Sequence, residues 1–153
     1  KYAAENYEQR DIYFLGRGVD YAVALEGSLK LKEISYIHCD AYAGGELKHG
    51  PIALIDKGTA VITLLTQEAL KDKMISNVRE VSTRGGNIFA IANQGDEIAK
   101  TVAEEVVYIP KTVDLLTPLV SVVPLQLLSY YVAKNKGCDV DKPRNLAKSV
   151  TVE

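Results

Sequence analysis

Short, continuous runs of apolar residues alternate with helical patterns along this chain, and they constrain its fold more than any other feature. Strand-type runs occupy residues 12–15, 60–65, 88–92 and 106–109. Their apolar residues are consecutive rather than alternating, which is typical of strands buried on both faces of a parallel sheet. A fifth, weaker pattern predicts another strand near residues 38–42.

The segments between these runs predict helices. One helix begins at Asp20, whose side chain is a candidate N-cap, and continues to about residue 35. A second covers residues 70–84, where the apolar side chains fall on one face and a glycine pair follows. A shorter third is predicted at residues 96–104. Strands that alternate with helices predict an α/β fold with a parallel sheet and right-handed crossovers.

The longest apolar tract runs over residues 115–133 and predicts the last helix. Thr117 is the expected N-cap and Pro118 the first helical residue, which is a favoured place for proline. Pro124 is expected to kink this helix and Gly137 to end it. Polar residues and two prolines interrupt the tract, so it predicts a helix that is buried or faces another subunit rather than a membrane span.

Length and composition exclude several classes of protein. The 153 residues fit one domain with a substantial core, and a net charge of −2 lacks the basic surplus of a nucleic-acid binder. Cys39 and Cys138 are too few for a disulfide framework and lack metal-ligand spacing, which favours a reducing, cytoplasmic setting without a metal. Residues 1–10 lack the apolar core of a signal peptide, and the chain begins without Met, so we expect a piece of a longer protein.

Three loops follow predicted strands at the edge of the sheet where α/β proteins bind ligands. They are Gly16-Arg17-Gly18, Thr66-Gln67-Glu68 and Asn93-Gln94-Gly95. The first turn leads into a helix N-terminus, which favours anions, but it lacks the further residues of a dinucleotide or phosphate loop. A tight turn and a weak anion site both stay open at this point, and the turn is favoured.

Glu26, Lys30 and Glu33 are four and three residues apart, which places them on one face of the first long helix. Two interpretations fit this spacing. A solvated face with an exposed ion pair is the more common one. The other is a site of acid–base chemistry, in which Glu33 removes a carbon-bound proton while Lys30 holds an oxygen or tunes the carboxylate.

The two histidines, His38 and His49, have neither the helical spacing nor the cysteine cluster of a zinc site. His49 lies among charged groups in the segment GELKHGP, residues 45–51. It is therefore either part of a charged turn or a proton carrier near neutral pH. Cys39 has no base in its local pattern, so we expect no thiol nucleophile. Lys148 lies in a polar tail, where most lysines are solvent-exposed charges.

Three segments together resemble one enzyme family. They are LEGSLKLKEISY at residues 25–36, GELKHGP at 45–51 and PRNLAKSVTVE at 143–153. The whole chain is similar to the second sugar isomerase (SIS) domain of the glucosamine-6-phosphate synthases, which are isomerizing glutamine–fructose-6-phosphate aminotransferases. The resemblance implies a five-stranded parallel sheet with helices on both faces, in a Rossmann-like or flavodoxin-like three-layer sandwich. It also implies a linker or helix remnant at 1–10, a SIS domain at 11–138 and a tail at 139–153 that closes the sugar site.

The resemblance also implies a reaction. Ammonia from glutamine is delivered to fructose 6-phosphate, and the product isomerises through an enol-type intermediate to glucosamine 6-phosphate. No metal or redox cofactor is expected. The implied partners are the sugar phosphate, the first SIS domain and the glutaminase domain of the same enzyme, and a second copy in a cytoplasmic homodimer. The alternative is a SIS module that binds a phosphosugar without catalysis.

Four roles fall on the helix and on the histidine segment by resemblance. Glu33 is the base that moves a proton between C1 and C2, Lys30 lies beside it, and Glu26 is assigned to substrate binding. His49 assists opening of the sugar ring in the site of the neighbouring subunit. These residue types suit the steps, because a carboxylate can remove a proton next to an imine and histidine exchanges protons near neutral pH.

The tail carries two further residues that the resemblance assigns to the site. Lys148 is expected to form a Schiff base with the open ketose, and the backbone of Ala147 is expected to approach the sugar. The chain shows no counterpart of the Ser/Thr-rich phosphate loop of the first SIS domain, for which residues 81–83 are a poor substitute. It begins Lys1-Tyr2-Ala3, without the N-terminal cysteine of the glutaminase half. The isolated chain is therefore expected to be inactive or nearly so.

Overall fold

The computed structural model describes residues 1–144, which form a five-stranded parallel sheet between layers of helices. The strands are β1 (Asp11–Gly16), β2 (His38–Ala43), β3 (Ala60–Leu65), β4 (Asn87–Asn93) and β5 (Glu105–Ile109). Their order across the sheet is β2-β1-β3-β4-β5, which is the flavodoxin-like order. The predicted fold is confirmed, including the weakly patterned strand β2 at one edge.

The helices are α1 (Tyr2–Asn6), α2 (Val19–Ser35), α3 (Lys71–Thr83) and α4 (Thr117–Asn135). On one face of the sheet α2 and α4 pack against each other, and α3 covers the other face. The short α1 joins the first face, where the Tyr2 and Phe89 rings lie 4.8 Å apart. Short 3₁₀ helices fill several connections, and the one over Gly44–His49 is called the His49 helix below.

The side chains of β1 show why buried strands have continuous apolar sequences. Ile12 and Phe14 belong to the core under α2 and α4, whereas Tyr13 and Leu15 belong to the core under α3. Successive side chains of a strand point to opposite faces, so burial on both faces requires an apolar residue at every position. At the sheet edge, β2 is less buried, and this accounts for its weaker pattern.

The two helices of the first face approach each other closely at Gly27. A Cβ at this position would lie 2.6 Å from Leu125 Cδ1 and 3.1 Å from Phe14 Cε1. These distances are shorter than ordinary van der Waals contact, so the missing side chain of glycine permits the packing of α2 on α4.

The last helix is apolar around most of its circumference. Leu125, Leu128 and Val132 are buried, whereas Leu119 and Leu127 are exposed. The segment Asp114–Asn135 is long and apolar enough to cross a membrane by length and composition alone, and 33% of its most apolar window is buried. This is a weak indication of a span, because the same helix packs on α2 and on the sheet.

The two predicted N-caps are wrong. The first long helix begins at Val19, and Asp20 lies within its first turn. The Asp20 carboxylate accepts hydrogen bonds from the backbone N–H and the hydroxyl of Thr66, so it ties α2 to the end of β3 instead of capping the helix. The last helix begins at Thr117 itself, preceded by Leu116 at the N-cap position.

The predicted helix at residues 96–104 is also wrong, because only a 3₁₀ turn forms there, at Ala99–Thr101. The Asp96 carboxylate accepts hydrogen bonds from the two backbone amides just before and at the start of this turn. The Glu104 carboxylate accepts another from a backbone amide of β4. Side-chain bonds of this kind hold the segment as a turn and compete with an α-helix.

The end of the last helix agrees with the prediction. After Asn135 the chain leaves the helix, and Gly137 follows with a φ of 74°, in the left-handed region that favours glycine. The backbone amide of Cys138 donates to the carbonyl of Ala133 at 2.9 Å, which closes the final turn. The expected kink at Pro124 does not interrupt the helix.

Candidate active site

The structure brings Glu26, Lys30 and Glu33 together on the outer face of α2. Lys30 Nζ lies 2.7 Å from Glu33 Oε2 and 3.8 Å from Glu26 Oε1. Residues three and four positions apart are neighbours on a helix surface, so the sequence spacing produces this row directly. The side chain of Glu33 is 46% exposed, which leaves its carboxylate accessible to a ligand.

The neighbouring carboxylates keep Lys30 charged. The hydrogen bond to Glu33 raises the pKa of the Lys30 ammonium; burial opposes this effect, and the negative charges of Glu33 and Glu26 add to it. Lys30 is therefore a cation at neutral pH. Such a group stabilises a negatively charged oxygen and is a poor nucleophile, because nucleophilic attack requires the free amine.

His49 ends the His49 helix, and its ring is paired with a carboxylate three residues earlier. Its Nδ1 lies 2.7 Å from Glu46 Oε2, and both side chains are largely exposed. Side chains at i and i+3 of a 3₁₀ helix eclipse each other, which explains the short distance. The pairing leaves Nε2 as the ring nitrogen that faces away from Glu46. Glu46 was not among the predicted site residues, although its spacing from His49 was the available signal.

Glu33 and His49 lie near opposite ends of the strands of the sheet. The His49 helix follows the carboxyl end of β2. By contrast, α2 starts at the carboxyl end of β1 and runs back toward the amino ends, so Glu33 is 14 residues, or about 21 Å, along it from Val19. Within residues 1–144 no hydrogen bond or ion pair joins the two side chains. In one copy of this domain the two side chains therefore lie at opposite ends of the strands.

The crevice between the carboxyl ends of β1 and β3 is the topological switch point of this sheet, where flavodoxin-like proteins bind ligands. Asp20, which is 2% exposed, occupies it with Thr66, and Asn93 Nδ2 donates to the Thr66 carbonyl at 2.9 Å. Burial raises the pKa of the Asp20 carboxyl, and the hydrogen bonds from Thr66 oppose this effect. A Cβ at Gly16 would collide with the Asp20 carbonyl, so the glycine serves a tight turn. The acidic Asp20 disfavours a phosphate at this crevice.

His38 and Cys39 show structural environments. His38 begins β2, and its Nδ1 lies 2.8 Å from Asp11 Oδ1 at the amino edge of the sheet. Cys39 is fully buried, and burial raises the pKa of its thiol to about 12. A thiol that stays protonated at neutral pH is a poor nucleophile.

The predicted tail residues Ala147 and Lys148 lie outside the described residues. At the end of the described chain, the backbone amide of Arg144 donates to the Tyr36 hydroxyl at 2.9 Å. The Arg144 guanidinium also lies 4.1 Å from the centre of the Tyr36 ring. Tyr36 is three residues beyond Glu33, so these contacts bring residue 144 to the same end of α2.

A cleft of about 450 Å³ lies near the amino ends of β1 and β3. Its lining consists of Glu5, Glu8, Gln9, Arg10, Asp11, Tyr13, Leu54 and Thr59. None of the predicted site residues within residues 1–144 is among them. Within residues 1–144, no group of three or more His, Cys, Asp or Glu side chains is arranged to hold a metal ion. The predicted site residues Glu26, Lys30, Glu33 and His49 thus lie outside this cleft.

Comparison with known protein families decides where the chain belongs. The profile of the SIS domain family matches residues 7–135. The chain belongs to the SIS domain family. This confirms the family that the three sequence segments indicated.

The SIS domain has relatives of high identity. It is 65% identical, over its whole length, to the isomerizing glutamine–fructose-6-phosphate aminotransferase of Clostridium tetani. It is also similar to the C-terminal domain of the glucosamine-fructose-6-phosphate aminotransferase of Francisella tularensis, with 42% identity and a TM-score of 0.85 over 92% of this chain and 40% of that one. A glucosamine-6-phosphate deaminase from Thermotoga maritima is 28% identical, with a TM-score of 0.73 over 95% of this chain and 42% of that one. The SIS domain spans about a quarter of the length of the curated relatives it matches.

Proposed function

We propose that this SIS domain is the second SIS domain of an isomerizing glutamine–fructose-6-phosphate aminotransferase and carries groups for the isomerisation step. In that step, the imine formed from fructose 6-phosphate and ammonia is converted into glucosamine 6-phosphate. The identity of 65% over the whole chain to a relative of that name supports the assignment. The deaminase of Thermotoga maritima shares less of the sequence, at 28% identity.

The observation that carries the proposal is the contact between Lys30 and Glu33. Glu33 is the base that transfers a proton between C1 and C2, because an exposed carboxylate can remove a proton next to an imine. Lys30 lies 2.7 Å away and is cationic, so it can stabilise the oxygen of an enol-type intermediate. Glu26, at the other side of Lys30, contributes to binding of the sugar.

His49 opens the sugar ring in this proposal. Its Nδ1 is held by Glu46, which leaves Nε2 to exchange a proton with the ring oxygen. Glu33 lies about 21 Å along α2 from the start of that helix, whereas His49 follows the carboxyl end of β2. This separation supports a role for His49 in the site of a neighbouring subunit. Lys148 would form a Schiff base with the open ketose, and the backbone of Ala147 would contact the sugar.

The remaining parts of the enzyme would lie outside this chain. A first SIS domain would supply the phosphate loop, a glutaminase domain the ammonia, and a second copy the opposite His49 in a cytoplasmic homodimer. Two observations support such partners: the exposed position of the acid–base groups, and the exposed apolar residues of α4. The reaction as proposed uses no metal or redox cofactor, and neither nucleic acid nor membrane is a partner.

The proposal is tested with Glu33→Gln in the full-length aminotransferase that carries this domain. The change keeps the shape of the side chain but removes the base, so synthesis of glucosamine 6-phosphate should fall about a hundredfold or more. Hydrolysis of glutamine should persist. Glu97→Gln is the matched control, because Glu97 forms a similar exposed pair with Lys100 away from α2. Synthesis that survives Glu33→Gln would show that another group is the base.

The alternative is a phosphosugar-binding SIS module without catalytic activity. Such a module needs a phosphate site more than a base, whereas the described residues show the reverse: an accessible carboxylate on α2 and an acidic crevice at the switch point. Equilibrium binding of fructose 6-phosphate to the full-length protein, measured together with its isomerase activity, decides between the two functions. Binding that is retained in a protein without any isomerase activity would favour the module.

A further inference from the structure

The His49 helix is held against α3 along its length. Leu47 is 1% exposed and belongs to the core that contains Met74 of α3. The next residue, Lys48, places its Nζ 2.9 Å from Glu80 Oε1 on the same helix. These two contacts attach the second half of the His49 helix to α3, and the contacts of its first turn determine the direction in which the helix runs.

Two glycines allow the first turn to lie directly on other side chains. A Cβ at Gly44 would lie 2.8 Å from Asn77 Oδ1 and 2.9 Å from Met74 Sδ. A Cβ at Gly45 would lie 3.3 to 3.5 Å from the guanidinium atoms of Arg17. The backbone at the start of the His49 helix therefore rests on Asn77, Met74 and the guanidinium.

Arg17 connects three elements at this point. It leaves the turn between β1 and α2, and its Nε donates a hydrogen bond of 3.0 Å to Asn77 Oδ1 on α3. Asn77 is 6% exposed, so its side chain has little freedom to move. A guanidinium is planar and rigid, and one hydrogen bond to a buried partner fixes the plane that the glycine backbone contacts.

We propose that Arg17, held by Asn77, is a positioning residue that sets the direction of the His49 helix and thereby the place of the His49 ring. The inference rests on the proposed role of His49 in ring opening. The 3₁₀ helix rises about 2 Å per residue, so His49 lies about 10 Å from Gly44. A tilt of about 6° at the first turn moves the ring by about 1 Å, and a displacement of this size can reduce catalysis up to about a hundredfold.

The test separates ring opening from isomerisation by the choice of substrate. Fructose 6-phosphate closes its ring through the hydroxyl on C5. The analogue 5-deoxyfructose 6-phosphate lacks that hydroxyl, and its C6 oxygen is blocked by phosphate, so it stays in the open form. In the full-length enzyme, Arg17→Met should lower turnover of fructose 6-phosphate about tenfold or more, while turnover of the open analogue changes less than about twofold.

Three further variants complete the experiment. Gly44→Ala places a Cβ against Asn77, the partner of Arg17, and should give the same selective loss. Arg17→Lys keeps the charge without the planar fork and should not restore the wild-type rate. Arg84→Met is the matched control, because it removes an arginine at the exposed end of α3 and should leave both substrates unaffected.

His49→Ala distinguishes a failure of this inference from a failure of the proposed function. A loss confined to fructose 6-phosphate in His49→Ala, with an equal loss on both substrates in Arg17→Met, would overturn the positioning role alone. An equal loss on both substrates in His49→Ala would show that His49 does not act in ring opening, and the role of Arg17 would fall with it. Unchanged glutamine hydrolysis shows that the glutaminase domain is intact in each variant, and retained turnover of the open analogue shows that the SIS domain is folded.

Discussion

The contact between Glu46 and His49 supports a prediction at the scale of single residues. The carboxylate accepts a hydrogen bond from Nδ1, and this selects the ring orientation in which Nε2 faces away from Glu46. We predict that Glu46→Gln in the full-length enzyme lowers turnover of fructose 6-phosphate about tenfold, because the amide holds the ring less firmly. The open-chain analogue should be converted at nearly the wild-type rate. Steady-state kinetics on both substrates measure the effect.

Two outcomes would contradict this prediction. A wild-type rate on fructose 6-phosphate would show that Glu46 is only a surface charge, as the exposure of its side chain permits. An equal loss on the open analogue would indicate that Glu46 acts in a later step. Glu97→Gln serves again as the control for removal of one exposed carboxylate.

The pKa of Lys30 gives a second residue-scale prediction, with a definite sign. Its folded pKa is raised above 10.5, first by the hydrogen bond to Glu33. The pair therefore contributes its full stabilisation below pH 10.5 and loses it as the pH rises through the higher folded value. Glu33→Gln should lower the pKa of Lys30, and Glu26→Gln should lower it less, because Glu26 is 3.8 Å away. An NMR titration of the lysine Cε signals measures both shifts.

A larger effect of Glu26→Gln than of Glu33→Gln would reverse the assignment of the main partner. Such a result would place the Lys30 ammonium nearer to Glu26, and Lys30 would then lie farther from the proposed base.

Tyr36 shows what a local sequence pattern cannot reveal about the site. It ends α2 with a φ of 61°, a left-handed conformation in which glycine would be expected. Tyr36 contacts a residue 108 positions later in the sequence. The backbone amide of Arg144 donates to the Tyr36 hydroxyl, and the Arg144 guanidinium lies over the Tyr36 ring. The spacing of Glu26, Lys30 and Glu33 was predictable because it is helical and local. The contacts of Arg17 and of Tyr36 were not, because they join distant segments.

At the scale of elements, the buried strands were predictable and the short connections were not. The strand β3 is buried at every position, so its continuous apolar sequence is enough to predict a strand there. The segment at residues 96–104 carries helix-forming residues, but Asp96 and Glu104 bind backbone amides and hold it as a turn. Asp20 was predicted to be an N-cap, but in the fold its carboxylate accepts a hydrogen bond from the backbone amide of Thr66. In each case a tertiary hydrogen bond overrode a local preference.

The packing of α2 on α4 supports an element-scale prediction at Gly27. Alanine there would place its Cβ 2.6 Å from Leu125 Cδ1. Overpacking costs about 2 kcal/mol, and the better helix propensity of alanine returns about 1 kcal/mol. We predict that Gly27→Ala lowers the free energy of unfolding of the 153-residue chain by about 1 kcal/mol, measured by urea denaturation.

A double variant tests the cause of that loss. Leu125→Ala removes the atom that the new Cβ would meet, so Gly27→Ala should cost less in its background than in the wild type. Additive effects of the two changes would show that the helices separate slightly and that the contact at Gly27 is not the origin. A stabilised Gly27→Ala variant would mean that the propensity gain exceeds the packing cost.

At the scale of the whole molecule, the domain presents the proposed acid–base groups at opposite ends of its strands and an apolar surface on one face. Leu119 and Leu127 of α4 are more than half exposed. An exposed apolar face usually marks a surface for another protein or domain. Together with the separation of Glu33 from His49, this surface supports the proposal that the domain acts in an assembly with other domains.

The last prediction follows from this separation. The purified 153-residue chain should convert fructose 6-phosphate to glucose 6-phosphate at less than about 1% of the rate of the full-length enzyme, because the proposal places His49 and Glu33 of one copy in different sites. In the full-length enzyme, mixed dimers of Glu33→Gln and His49→Ala subunits should regain part of the activity, since one of their two sites combines an intact Glu33 with an intact His49. Dimers of either variant alone should stay inactive. Mixed dimers that are no more active than these would place both groups of each site in one subunit, with an arrangement different from that seen in the isolated domain.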